Sequence, residues 1–291
     1  MRGQLCTDLD ELGQQIGSPR PSERATPVHI ARKYWYILPA LFPLMKDVEY
    51  GRMFDVEDHH WWYLGMETIT RAILDRHLPP AASRHILDAG CGTGAAMANY
   101  LPDYGTVTGL DISPLALGLC RLRKLHRLAR ASVMEIPFAG RSFDVVASFD
   151  VMVIVDRDVR TVEEFYRVLR PGGHLLLRVA AYDWLRGEHD ITVRTAHRYT
   201  VPEVRRLLSQ AGFEPIQVTY ANTFLFPLAA GKRLLERVFP PAPDASDLTF
   251  AQGTLDGLFR RVLASEAPLA SRSGLPFGLS VVALARKPAG A

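Results

Sequence analysis

Short apolar runs at 85–88, 107–111, 143–149 and 174–179 are separated by stretches with helical spacing. Those helices are expected to start near Gly94, Ser113 and Asp158. Strands and helices in alternation predict a parallel sheet with helices packed on it. The local signals agree with that pattern. Ser113-Pro114 puts a capping hydroxyl ahead of a proline suited to a first turn. Thr200-Val201-Pro202-Glu203 opens a helix that runs to Gln210 and is stopped by Gly212. Further upstream, 66–78 has a helical pattern, and 214–220 and 279–285 read as two more strands.

The ends of the chain follow other rules. Residues 1–24 are polar, with one apolar stripe of Leu9, Leu12 and Ile16 closed off by Pro19 and Pro21. In the next stretch, 34–45 is apolar and aromatic with little face preference. So much apolar surface needs cover, either as a helix packed on the core or as a lid or oligomer contact. A homo-oligomer is the weakly favoured assembly.

Composition narrows the function. The 291 residues are 48% hydrophobic and 22% charged, ordinary for a globular chain. A net charge of +3 gives no ground for a nucleic-acid partner. Cys6, Cys91 and Cys120 have neither metal nor disulfide spacing, so no metal is expected and Cys91 reads as structural. The longest apolar run, 34–45, is too short to span a bilayer, and no signal-peptide pattern precedes it. The expectation is a cytoplasmic protein without a transmembrane segment.

The chemistry concentrates in Ile86-Leu87-Asp88-Ala89-Gly90-Cys91-Gly92-Thr93-Gly94. A strand ends, three glycines turn the chain, and a helix begins at Ala95. Glycines at such a turn let a ligand lie against bare backbone. About 20 residues on, the next strand ends in Asp111, where an acid meets a ribose diol in Rossmann-like folds. Loop and acid together indicate an adenosine-containing ligand.

The G-x-G-x-G loop behind Asp88 resembles motif I of the class I S-adenosylmethionine (SAM) methyltransferases, of the bacterial small-molecule type. Ile136-Pro137-Phe138 with Ser142-Phe143-Asp144-Val145-Val146 resembles the approach to that family's fourth strand. Val168-Leu169-Arg170-Pro171-Gly172-Gly173 resembles the turn before its fifth. A nicotinamide dehydrogenase is the main rival, and this last turn argues against it. The resemblance implies an α/β fold: a Rossmann-like, seven-stranded, mostly parallel sheet with helices on both faces and an antiparallel last strand. The family needs only a short turn where this chain has a leucine- and phenylalanine-rich segment, broken by Pro240-Pro241-Ala242-Pro243. The expected domains are therefore an N-terminal helical extension at 1–50, a SAM-binding core at 51–221, an inserted helical cap at 222–276, and the last strand and tail at 277–291.

The same resemblance distributes the site. Gly90, Cys91, Gly92 and Gly94 let backbone approach the methionine part of SAM, with Asp88 capping the loop or touching ligand. Asp111 takes the ribose, Ile112 flanks adenine, and Ser132 with Val133 stands where the family often has an aspartate for the adenine amino group. Trp61-Trp62 with Gly65 resembles a segment lying over the methionine end; the alternative is a pair of core aromatics. Related sequences carry a Glu-His pair where this chain has Val153-Ile154, which makes the site more apolar. Asp150 is then the first choice for a polar group near the methyl, with His60 and His189 as further candidate bases. Trp184, His189, Asp190, Arg198, Tyr199 and Thr200 match a "W…HD…RRYT" stretch of the subgroup, with a loop clamp as the plainer reading. The expected activity is methyl transfer to a small, largely apolar metabolite in bacterial secondary metabolism, leaving S-adenosylhomocysteine. A non-catalytic SAM-binding member, and a SAM-fold enzyme coupling methylation to cyclisation or rearrangement, are the alternatives.

Overall fold

The computed structural model describes residues 47–238 and 255–290. The readings made for 1–46 and for the proline cluster at 240–243 lie outside the described residues. Five strands run the same way: β1 (His85–Ala89), β2 (Thr106–Asp111), β3 (Leu128–Arg130), β4 (Phe143–Phe149) and β5 (Leu169–Ala180). With β6 (Glu214–Ala221) and β7 (Ser280–Arg286) they form one sheet in the order β3-β2-β1-β4-β5-β7-β6. β7 is antiparallel to both of its neighbours. The order reverses between β1 and β4, and the crevice at the carboxyl ends of these strands is where open α/β sheets take ligands.

The strands are apolar on both faces because helices cover both. Consecutive residues diverge: Leu87, Val146 and Leu177 enter one core with Val162, Phe165, Val204 and Leu208. Ile86, Val145 and Leu176 enter the other with Met66, Ile69, Ile73 and Leu263. A period of two therefore feeds both layers from a near-continuous apolar run.

The helices start with α1 (Asp47–Val56), α2 (Trp61–His77), α3 (Ala95–Asn99), α4 (Pro114–Leu122) and α5 (Asp158–Val168). They continue with α6 (Glu188–Val193), α7 (Val201–Gln210), α8 (Phe226–Val238), α9 (Asp256–Ala264) and α10 (Ala267–Arg272). The Ser113 hydroxyl accepts from Ala116 N–H at the start of α4, and Thr200 with Glu203 forms a capping box on α7.

Three expectations need adjustment. α2 begins at Trp61 rather than at 66, because His60 caps it, so the tryptophan pair forms its first turn. The boundary placed at 50 falls inside α1. Within 222–276, α9 and α10 send Leu263, Ala267 and Ala270 into the core shared with α2. Gly65 makes this packing close: a Cβ there would lie 2.6 Å from Leu263 Cδ2. The described end of that segment is thus built into the core layer.

Candidate active site

The glycine loop leaves β1 with Gly90, Gly92 and Gly94 all left-handed, at φ of +81°, +54° and +88°. At Gly90 a side chain is doubly excluded, since a Cβ would meet Val151 Cγ2 at 2.1 Å. The loop's donors are turned inward. Gly90 and Cys91 N–H both donate to Leu110 C=O, Gly94 N–H donates to Cys91 C=O, and Gly92 N–H donates to Asp111 Oδ2 at 2.9 Å. A phosphate cradle needs such N–H groups pointing at the ligand, and these four already have acceptors. Cys91 and Cys120 are packed with Met97 and Leu117 beneath the loop. A hydrogen bond with Cys120, together with burial, pushes the Cys91 thiol upward and leaves it a structural group.

Three carboxylates gather here. Asp88, Asp111 and Glu57 are 1%, 7% and 6% exposed. Burial, then the charge of Asp111, pushes the Asp88 carboxyl up to about 7, with Arg178 only partly opposing. Burial also raises Asp111, against the N–H groups of Ser113 and Gly92 that stabilise its charge. Glu57 is raised by burial as well, although Thr93 and Arg123 bond to it. Each acid is held where ionisation is costly, and a cation placed among them would relieve all three.

Sequence reasoning missed the α1 side of this space. Tyr50 is buried beside Asp111, and Met53 lies over Gly92, its Cε 3.0 Å from where a Cβ would be. Glu57 accepts from the Thr93 hydroxyl and from Arg123 Nη2, the latter at 2.9 Å. Arg123 also binds Asp58 at 2.8 Å and Thr93 C=O at 3.1 Å, and its guanidinium lies 4.7 Å from the Phe54 ring centroid. α1 is thereby fastened to the loop and to the end of α4. The helical spacing of 47–56 leaves a signal, but its partners are 36 to 66 residues away.

The ends of β4 and β5 hold a charged pair where the sequence suggested an apolar site. Arg178, opposite Phe149 in the parallel register, bonds to Asp150 Oδ2 through Nε at 2.8 Å and Nη2 at 2.7 Å. Its guanidinium carbon lies 4.8 Å from the Trp62 ring centroid and 5.0 Å from that of Phe149. Tyr63 packs edge-on to Trp62, and Tyr100 is 6.3 Å from Phe149. The signal for Arg178 was available: it is the one charge inside the apolar run Leu175-Leu176-Leu177-Arg178-Val179.

The remaining candidates divide. Ile112 and Ser132 flank the ends of β2 and β3 with Val133 buried beside them, and Ser132 Oγ accepts from Met134 N–H at 3.2 Å. Trp62 faces Arg178, whereas Trp61 is 9% exposed and packs on Phe259 of α9, which makes it a core aromatic rather than a cofactor contact. His60 Nδ1 accepts from Trp62 N–H at 3.3 Å, so that nitrogen serves as a helix cap and not as a base. His189 lies on α6, but its expected partner is engaged elsewhere. Asp190 takes Arg198 Nε at 2.8 Å, Arg198 Nη2 at 3.0 Å and Gly187 N–H at 2.8 Å. Burial opposes the Asp190 charge, but the Arg198 fork outweighs it and holds the carboxyl below its ordinary range. His197 Nδ1 meets Asp183 at 2.8 Å. The motif at 184–200 is a loop clamp. Among the described residues no group of three or more His, Cys, Asp or Glu is arranged to hold a metal, and no helix is long and apolar enough to cross a membrane.

Comparison with known proteins matches residues 87–177 to the methyltransferase domain family. An O-methyltransferase (cnsE) of Penicillium expansum is 30% identical over 166 residues, 53% of this chain and 60% of that protein. A demethylmenaquinone methyltransferase of Tropheryma whipplei is 30% identical over 161 residues, 53% of this chain and 61% of that protein. The chain thus spans about three-fifths of the length of these relatives. Among solved structures, a SAM-dependent methyltransferase of Thermotoga maritima aligns with a TM-score of 0.54 at 17% identity, covering 82% of this chain and 94% of that one. Geranyl diphosphate C-methyltransferase of Streptomyces coelicolor aligns at 0.51 and 16% identity, covering 76% and 79%. These two likenesses concern the fold.

Proposed function

Through residues 87–177 this chain belongs to the class I SAM-dependent methyltransferases, and we propose that it moves a methyl group from SAM to a small, largely apolar metabolite. The observation that carries this is the electrostatics of the loop. Asp88, Asp111 and Glu57 are buried together, each with ionisation disfavoured, around a loop whose N–H groups are used internally. Such a site repels the pyrophosphate of a dinucleotide and suits a ligand carrying a sulfonium and an ammonium.

When bound, SAM supplies an electrophilic methyl on sulfur. The chain's task is to bind, orient and exclude water. Asp111 keeps lone pairs beyond those used by Gly92 and Ser113, enough to accept from a ribose diol. Ile112 and Val133 flank the adenine, and Ser132 accepts from its amino group. Asp88 and Glu57 offset the cationic methionine end, with Tyr50 and Met53 closing over it. The acceptor lies at the ends of β4 and β5 between Trp62 and Phe149, where Asp150 can take its proton. The aromatic walls support a largely apolar acceptor, and the likeness of 184–200 to a bacterial subgroup supports a place in bacterial secondary metabolism.

Calorimetric titration tests the reading. SAM and S-adenosylhomocysteine should bind one per chain, and NAD should not. Binding of NAD without SAM would reverse the assignment.

A further inference from the structure

We infer that Arg178 and Asp150 form an acceptor site for a phenolic or enolic hydroxyl on a flat conjugated molecule, Asp150 taking its proton and Arg178 holding the oxyanion that is methylated. The inference rests on the methyltransferase reading above and narrows its acceptor.

Position comes first. Phe149 and Arg178 are register partners at the carboxyl ends of adjacent strands, and β4 also pairs with β1, which carries the glycine loop. Val151 touches Gly90, so the Asp150 turn abuts the loop itself.

The bonding is incomplete in a way that points to a ligand. Arg178 is only 9% exposed, yet both of its bonds end on one oxygen, Asp150 Oδ2. Among the described residues, Arg178 Nη1 and Asp150 Oδ1 have no hydrogen-bond partner. Buried donors of a guanidinium are costly to leave unmet. Asp150 also holds a left-handed backbone at φ +58°, a conformation that tends to persist at sites where geometry serves function. The pair therefore presents one donor and one acceptor side by side, facing the same neighbourhood.

The charge balance selects the group. Arg178 and Asp150 together are neutral. A carboxylate acceptor would set a second anion against Asp150, and an ammonium would set a second cation against Arg178. A hydroxyl satisfies both partners in each state. It donates to Asp150 Oδ1 and accepts from Arg178 Nη1. When the O–H bond breaks, the proton passes to Asp150 and the negative charge stays on the oxygen beside Arg178. An oxygen lone pair then forms the O–CH₃ bond as the S–CH₃ bond breaks, its electron pair going to sulfur to give the neutral thioether. The faces of Trp62 and Phe149 on either side of the guanidinium set the shape, a slot suited to a planar ring.

The test uses the full chain and SAM labelled in the methyl group. The acceptor panel is catechol, 2-naphthol, 7-hydroxycoumarin and quercetin, with coumarin, 7-aminocoumarin and 2-naphthoic acid as counterparts without the hydroxyl. Label should enter the phenols, and the counterparts should remain unlabelled. Arg178→Gln should lower kcat/KM for the best phenol by about a hundredfold, as loss of an oxyanion donor does. Asp150→Asn should make the rate climb with pH toward the phenol's own ionisation, and acidic phenols should be affected least. A purely structural pair would move neither the pH profile nor the ranking of phenols. Arg178→Lys keeps the charge and guards against a folding defect; it should bind SAM and retain more activity than Arg178→Gln. Wild-type chain that binds SAM but labels no phenol, or prefers 7-aminocoumarin or 2-naphthoic acid, overturns the inference and leaves the methyltransferase reading standing. Wild-type chain that does not bind SAM defeats that reading, and this inference with it.

Discussion

At the glycine loop, Asp88, Asp111 and Glu57 share a buried space, and burial makes each hard to ionise. Across β4, Asp150 is matched directly by Arg178. The loop end is a set of acids short of a cation, whereas the strand ends hold a balanced pair with one open donor and one open acceptor. A fixed, permanently charged ligand and a hydroxyl that changes its protonation would call for these two arrangements respectively. The difference explains how a site can be hospitable to SAM without being uniformly acidic.

The strongest way to break the loop half is Gly90→Ala. The left-handed backbone costs an alanine ~1–2 kcal/mol, and the clash with Val151 adds overpacking of ~1–3 kcal/mol. Chemical denaturation should show the loss, and an unchanged midpoint would mean that the loop relaxes freely.

Asp111→Ala comes next. It should weaken SAM by ~1.5–3 kcal/mol, the usual range for hydrogen bonds to a charged group. Calorimetry reads this directly, and wild-type affinity in the variant would remove Asp111 from the ribose.

Asp88 gives a pH dependence of smaller size. Its folded pKa of about 7 lies above the ordinary aspartate value of about 3.9. Between these values the unfolded chain has lost the proton while the native chain keeps it, so native protein binds more protons. Stability without ligand should therefore fall as pH rises through that window. A cation favours ionised Asp88, so SAM binding should release a proton. Affinity should grow by up to about tenfold per pH unit below 7 and then level off. Melting temperatures with and without SAM from pH 5 to 8 test both signs, and Asp88→Asn should flatten both curves.

Gly65→Ala sharpens the contrast from outside the site. Its Cβ meets Leu263, so stability should drop by ~1–3 kcal/mol while SAM affinity holds. A parallel loss of affinity would show that α2 and α9 position the site. The smallest effect is expected from chelators, since methyl transfer between these groups needs no divalent ion. Activity that vanishes with EDTA and returns with magnesium would contradict this.

The sequence by itself determined the layered fold and the cofactor end. Apolar runs with period two, glycines obliged to be left-handed and an acid at the end of the second strand are local signals, readable one segment at a time. It did not reveal β3, because three residues carry too little pattern, and it left Trp61 and Trp62 equivalent until packing sent one to the core and one to Arg178. It also made the 184–200 motif look chemical, when Asp190 is committed to Arg198. The roof from α1 and the Asp150–Arg178 pair were decided only by tertiary structure. Their partners lie 28 to 66 residues apart, and what makes them a site is burial and the direction of a few hydrogen bonds, which no local spacing records.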